Sequence, residues 1–510
     1  MKKYVLFFVG ILILAFGLRI YDLSGTPAGM HADEVSSAYN AYSILKTGND
    51  EHGVSFPLYF EAFNDYKHPV YIYSMIPSLF FFGLTNFGAR FTSVLFSLLA
   101  LFVFYLLISK MVDRKTAVLS VFFLSITPWF FFYSRVAFEV ISFCFLFLLA
   151  LFLFFKGLEN KKWLPVSALV FGLSLYAYGI ARLFVPLFLF GLLWIYRKEL
   201  FSPTFRKTIF VCFFLFILMA IPCYYASFFG HANARFAVVS VFHRSETPLL
   251  SFFINYFSHW SPAYLFFSGD SQINNNVTGW GELYHFALLL VPLGLYWLFK
   301  NKNQKTVQLL ALWLLLFPLA ASFTYGDLPH SARSFIGVPA FALLMSLGLF
   351  ELWGLFHSFL SRFAVPAIDP KQLFFFFVCV VSFGIVFEAG IFFHDYFTTY
   401  QEESADYWLY FAQPTIGYME EVKPAYEHIY LSKTGFDLFY ISLLYHLQAD
   451  PQQYQENGLK SFGYEICTID LCFNESQKNL YVFRGFELTI NGTHNIHYYN
   501  SDKIAVKFFG

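Results

Sequence analysis

A bilayer core admits only segments that satisfy their own backbone hydrogen bonds, and apolar runs suited to that solvent dominate this sequence. They begin at Tyr4 and again near residues 91, 116, 140, 164, 183, 208, 283, 307, 335 and 373. That makes about eleven stretches of adequate length to be read as spans. Hydrophobic residues make up 58% of the chain and charged ones 13%, against roughly 25% in soluble proteins. A soluble globular enzyme is excluded, and the sequence predicts a polytopic α-helical membrane protein. Lys and Arg number 33, as do Asp and Glu, so the charge balance suggests no nucleic-acid partner.

Loop charges then set the orientation. Lys2 and Lys3 precede the first span, and no small-residue cleavage site follows it, so this segment reads as an uncleaved helix with its N-terminus inside. Lys110/Arg114/Lys115, Lys156/Lys161/Lys162, Arg197/Lys198/Arg206/Lys207, Lys300/Lys302/Lys305 and Arg362/Lys371 fall on that same side, as the positive-inside rule requires. This sorting holds only if Val70 to Leu84 does not cross, and about fourteen apolar residues is the length of an interfacial or re-entrant helix. Residues 22–90 therefore read as one long outer loop carrying such a helix.

A transmembrane domain is expected over residues 1–394. Residues 395–510 change to a mixed polar composition and predict a small extracytoplasmic α/β or α+β domain. Within it Ile429 to Ser432, Leu480 to Phe483 and Ile504 to Phe509 read as strands, and Gly435 to Leu447 as an amphipathic helix. Cys467 and Cys472 form a disulfide if this tail faces an oxidising compartment, and stay two thiols if it does not. The expected location is the plasma (inner) membrane, in multiple passes.

In a chain so poor in charge, the first outer loop is unusually rich in it. Asp50, Glu51, His52 and Glu61 read as ordinary solvated charges. Asp33-Glu34 is the candidate catalytic pair: adjacent carboxylates on a helix point about 100° apart, so one addresses a reacting group while the other positions a neighbour or ligand. Cations also recur on the outer side, against the general trend: Lys67 and His68, Arg135, Arg182, and His330 with Arg333. Each can snorkel to headgroups or pair with a nearby carboxylate. Together they suit an anion at the membrane surface, such as a lipid-linked phosphate or pyrophosphate.

The runs PAGMHADEVSSAYNAYSILKTGNDEHG, NDYKHPVYIY, FGARFTSVLFSLLALFVFYLL, TPWFFFYSRVAFEV and PHSARSFIGVPAFALL carry a resemblance. In order and spacing, over nearly all of residues 1–395, they resemble the membrane glycosyltransferases of the GT-C fold. More narrowly, they are similar to the protein O-mannosyltransferase and lipid A aminoarabinose transferase group. The resemblance implies inverting transfer of a hexosyl or pentosyl group from a polyprenyl-phosphate donor to a lipid, glycan or protein acceptor, with the active site where the first outer loop meets the membrane. It implies a catalytic role for Asp33 and donor-phosphate contacts from Lys67 and Arg333. The usual Lys-Pro-Pro is Lys67-His68-Pro69 here, and the usual Arg-Tyr is Arg333-Ser334.

The chemistry is consistent with these residue types. A carboxylate such as Asp33 can take the proton of an attacking hydroxyl, while Lys67, Arg135, Arg182 and Arg333 offset the charge growing on the leaving phosphate. No cofactor is required; a divalent ion on Asp33, Glu34 or His330 is compatible with the ligand chemistry. The alternative is a transporter or flippase of polyprenyl-linked sugars. Against it, charge inside the spans is confined essentially to Glu351 and Glu388, which offers no midplane ion pathway.

Overall fold

The computed structural model describes residues 2–63, 65–230, 240–326, 328–362, 370–432, 438–467, 479–484, 496–501 and 504–509. The chain divides into two compact units. One comprises residues 1–21 and 93–398, the other residues 22–92 and 399–510.

The first unit is helical. Across the chain, seven described helices are long and apolar enough to cross a membrane: Lys2–Ile20 (α1), Asn86–Met111, Val140–Glu159, Arg206–Phe228, Lys305–Ser322, Ser331–Leu360 and Gln372–Phe397. The other expected spans are shorter helices, at Arg114–Ile126, Trp163–Ser174, Ala181–Ile195 and Ala287–Lys300. A proline accounts for one of these short lengths. Thr127 precedes Pro128 and is forced to ψ 131°, which ends Arg114–Ile126 before a separate turn, Pro128–Tyr133, begins.

Small residues let these helices approach closely. A Cβ added at Gly294 would collide with the carbonyl of Leu344, and one at Gly348 with that of Leu290, so Ala287–Lys300 and Val338–Arg362 meet backbone to backbone. Arg19 closes α1 from inside the unit. Fully buried, it donates to the carbonyls of Ala15 (3.1 Å) and Ser125 (3.0 Å).

The second unit joins the loop after α1 to the C-terminal tail. Its loop half contains α2 (Ala32–Thr47), the antiparallel pair β1 (Phe60–Ala62) and β2 (Asp65–Lys67), and α3 (Pro69–Phe82). α3 coincides with the apolar run expected to lie along the membrane, and its 14 residues are short for a crossing.

The tail half carries a mixed sheet of β3 (His428–Ser432), β4 (Tyr464–Cys467), β5 (Asn479–Arg484), β6 (Ile496–Ser501) and β7 (Ile504–Phe509), in the order β4-β3-β5-β7-β6. β3 runs parallel to both β4 and β5, whereas β7 is antiparallel to β5 and β6. Ile429, Leu431, Leu480 and Val482 on the sheet pack with Phe411, Ile416, Met419, Phe439 and Leu443 into one core. The expected tail helix is seen as Phe439–His446; residues 433–437 lie outside the described residues. Cys467 is disulfide-bonded, and Cys472 also lies outside the described residues.

Loop and tail are tied along α2. The Tyr39 hydroxyl donates to the Ala449 carbonyl (3.3 Å), and the Gln455 amide donates to Ser43 Oγ (3.0 Å) and the Asp50 carbonyl (2.7 Å). Near the end of α3, Tyr445 donates to Asn86 Oδ1 (3.1 Å) and Gln448 to the Leu84 carbonyl (3.3 Å).

Candidate active site

The second unit builds its site from the first turn of α2. His31 caps the helix in extended geometry: its Nδ1 accepts from the Asp33 N–H (3.2 Å), and its own N–H donates to Glu34 Oε2 (3.2 Å). Glu34 is fully buried and is gripped by the fork of Arg90, with Nε to Oε1 at 3.1 Å and Nη2 to Oε2 at 3.0 Å.

The same guanidinium gathers the chain leading into α2. It donates to the carbonyls of Leu23 (3.2 Å), Pro27 (3.0 Å) and Gly29 (2.6 Å), and it lies 5.7 Å from the ring centroid of Trp408. Gly29 is needed there. Its φ is +87°, and a Cβ would strike the Trp408 carbonyl.

The 100° step between neighbours then divides the carboxylate pair. Glu34 is turned inward onto Arg90 and away from solvent. Asp33 faces outward with 44% of its side chain exposed. β2 brings Lys67 to it, Nζ to Oδ1 at 2.5 Å, with the ammonium 5.7 Å from the Phe63 ring centroid. His68 follows as the N-cap residue of α3, its ring edge-on to Tyr59.

The reading of Asp50 and Glu51 as solvated charges is corrected, because both are buried. Asp50 Oδ1 accepts from the N–H groups of His52 and Val54, each at 2.9 Å. Glu51 accepts from the Asn40 amide (3.0 Å) and more loosely from Tyr440 (3.4 Å), and burial pushes its carboxyl up to about 7.

The remaining expected residues lie in the first unit. Arg135 is fully buried, and Nη1 donates to the carbonyls of Leu18 (2.9 Å), Arg19 (2.8 Å) and Tyr21 (2.7 Å), while Nε donates to the Tyr396 hydroxyl (3.2 Å). These bonds cap the C-terminus of α1. Arg182 opens the helix Ala181–Ile195, with its carbonyl receiving the Tyr224 hydroxyl.

His330 and Arg333 lie together on a short segment. The His330 N–H donates to His259 Nε2 (3.1 Å), His330 Nδ1 is 3.6 Å from Asp270 Oδ2, and Arg333 Nη1 donates to Thr324 Oγ1 (2.8 Å). Between them, Ser331 gives its N–H to Asp270 Oδ2 (2.8 Å) and its hydroxyl to Glu282. His259 Nδ1 also bonds the Asn255 carbonyl (2.7 Å), so this ring must be neutral, donating at Nδ1 and accepting at Nε2. Burial accordingly lowers it to about 4, raises Asp270 to about 6 and lifts Glu282 well above the carboxylate range.

Asp270, Glu282, His259 and Arg90 were not among the expected residues. The available signal was scarcity: each is a polar or charged residue at the edge of an apolar run. No described group of three or more His, Cys, Asp or Glu side chains is arranged to hold a metal ion.

Residues 67–225 match the family model of the dolichyl-phosphate-mannose-protein mannosyltransferases. No curated protein sequence matches the chain. Among solved structures, ArnT from Cupriavidus metallidurans in the apo state is similar at TM-score 0.58 and 13% identity, over 99% of this chain and 98% of that one. The same protein bound to undecaprenyl phosphate gives 0.55 and 14%, over 100% and 98%. The oligosaccharyltransferase AglB from Archaeoglobus fulgidus, in complex with an inhibitory peptide and a dolichol-phosphate, gives 0.56 and 12%, over 94% of this chain and 69% of that one. This chain is therefore a membrane protein with the GT-C fold, similar over residues 67–225 to the dolichyl-phosphate-mannose-protein mannosyltransferases and similar in fold to ArnT.

Proposed function

We propose that this protein transfers a hexosyl or pentosyl group, with inversion, from a polyprenyl-phosphate donor to a hydroxyl of a lipid, glycan or protein acceptor on the extracytoplasmic face of the plasma (inner) membrane. The observation that carries the reading is the Asp33–Lys67 pair, an exposed carboxylate bonded to a lysine on a turn that Arg90 and Glu34 hold rigid. The lipid carrier is supported by the similar structures, one bound to undecaprenyl phosphate and another in complex with a dolichol-phosphate.

In this reading Asp33 accepts the acceptor hydroxyl's proton as that oxygen bonds C1 of the sugar. The C1–O bond of the C1–O–P linkage breaks, its electron pair stays on the leaving lipid phosphate, and Lys67 offsets the charge that develops there. Without donor, Lys67 neutralises Asp33. With donor bound, the phosphate competes for the ammonium and leaves the carboxylate available as a base.

The test is to incubate purified protein with a synthetic undecaprenyl-phosphate-linked sugar and candidate acceptors. Release of undecaprenyl phosphate with formation of a new glycosidic bond of inverted configuration is expected. Movement of the intact donor across a vesicle membrane, with no bond formed, would establish the transporter instead. For sidedness, reporter fusions at residues 303 and 400 are expected to give opposite signals; cytoplasmic signals at both would overturn the assigned orientation.

A further inference from the structure

We infer that Asp270 and Glu282 are positioning residues for the basic segment His330–Arg333, clamping it through Ser331 so that Arg333 meets the donor phosphate in one orientation. This rests on the reading of Arg333 as a phosphate ligand.

The segment leads into a long helix: its first turn, Ser331–Ser334, is set off from the α-helical Val338–Arg362 by the 3₁₀ turn Phe335–Gly337. The polar groups of that first turn are taken up by buried side chains. The Ser331 N–H goes to Asp270 and its hydroxyl to Glu282, while its carbonyl receives the Trp129 indole N–H (3.1 Å). Ser334 Oγ is paired with the Tyr264 hydroxyl at 2.8 Å, and His259 holds the His330 N–H.

The two carboxyls are themselves linked, since the Asp270 N–H donates to Glu282 Oε1 (3.2 Å) and Asp270 Oδ1 is fixed by the Gln272 N–H (2.9 Å). Glu282, Asp270 and Ser331 thus form one continuous chain of bonds ending two residues before Arg333. Glu282 Oε2 is buried without a hydrogen-bond partner among the described residues. A buried carboxyl so placed uses one oxygen only, as an acceptor for Ser331 and Asp270. The amide of Gln preserves that acceptor, and Ala removes it.

The experiment measures the affinity of the purified full-length protein for undecaprenyl phosphate in wild type, Glu282→Ala, Glu282→Gln, Arg333→Ala and the Glu282→Ala/Arg333→Ala double variant. Glu282→Ala is expected to weaken binding about tenfold, Glu282→Gln to stay within about twofold of wild type, and Glu282→Ala to add nothing once Arg333 is gone. Wild-type affinity in Arg333→Ala overturns the phosphate-ligand reading itself. Weak binding in Arg333→Ala, with either unchanged affinity in Glu282→Ala or a full further loss in the double variant, overturns the positioning role alone. Should Glu282→Ala fail to insert, Ser331→Ala removes the hydroxyl from the clamp, and the same non-additivity with Arg333→Ala is required of it.

Discussion

Asp33→Asn is expected to lower sugar transfer by roughly 10²-fold or more while leaving donor binding largely intact. Asn keeps the size and the first-turn position of Asp33 but cannot accept the acceptor's proton. The cap survives the substitution, because it uses the Asp33 backbone N–H and the Glu34 side chain rather than the Asp33 carboxylate. At Lys67 the charged carboxylate acceptor is replaced by a neutral amide oxygen, a weaker competitor for the ammonium than a phosphate, so donor affinity should hold or tighten. The measurement is transfer per correctly inserted molecule alongside binding of undecaprenyl phosphate. Full activity in Asp33→Asn would remove Asp33 from the chemistry, and reduced yield with normal turnover would assign it a structural role.

Breaking the Arg90–Glu34 pair is expected to have the largest effect on stability. Arg90→Ala leaves the Glu34 carboxylate buried without its fork and strips three carbonyls of their donor. Removal of one partner from a buried pair costs about 3–5 kcal/mol, whereas replacing both by apolar residues is often neutral. Thermal unfolding of the purified protein should therefore show a marked loss for Arg90→Ala and substantial recovery in Arg90→Met/Glu34→Leu. Because the pair shapes the turn that presents Asp33, transfer should stay low even in the recovered protein. Unchanged stability in Arg90→Ala, or a double variant worse than the single one, would contradict this account.

Much of the fold is legible in the linear chain because hydropathy is a local property. The positions of the apolar helices, the length of α3 and the strands β3, β5 and β7 all follow from runs of neighbouring residues. The Asp33-Glu34 pair and Lys67 stand out in the same way, as charge in a sequence with little of it. Hydropathy does not set lengths at helix breaks, however: Pro128 stops Arg114–Ile126 at 13 residues inside a continuous apolar run.

Which charge faces inward is a different kind of question, and only the packed chain answers it. Asp33 and Glu34 are adjacent and chemically alike, yet Glu34 is buried because Arg90, 56 residues away, is folded against it. Arg135 and Arg333 are both outer-loop arginines by sequence. One is committed to the end of α1, and the other lies beside a clamp formed by Asp270 and Glu282. By itself the sequence determined the solvent this protein folds in and where polar chemistry is concentrated. The tertiary structure decided which of those polar groups are buried and which keep part of their surface exposed, because a charge is buried only where distant parts of the chain supply its partners.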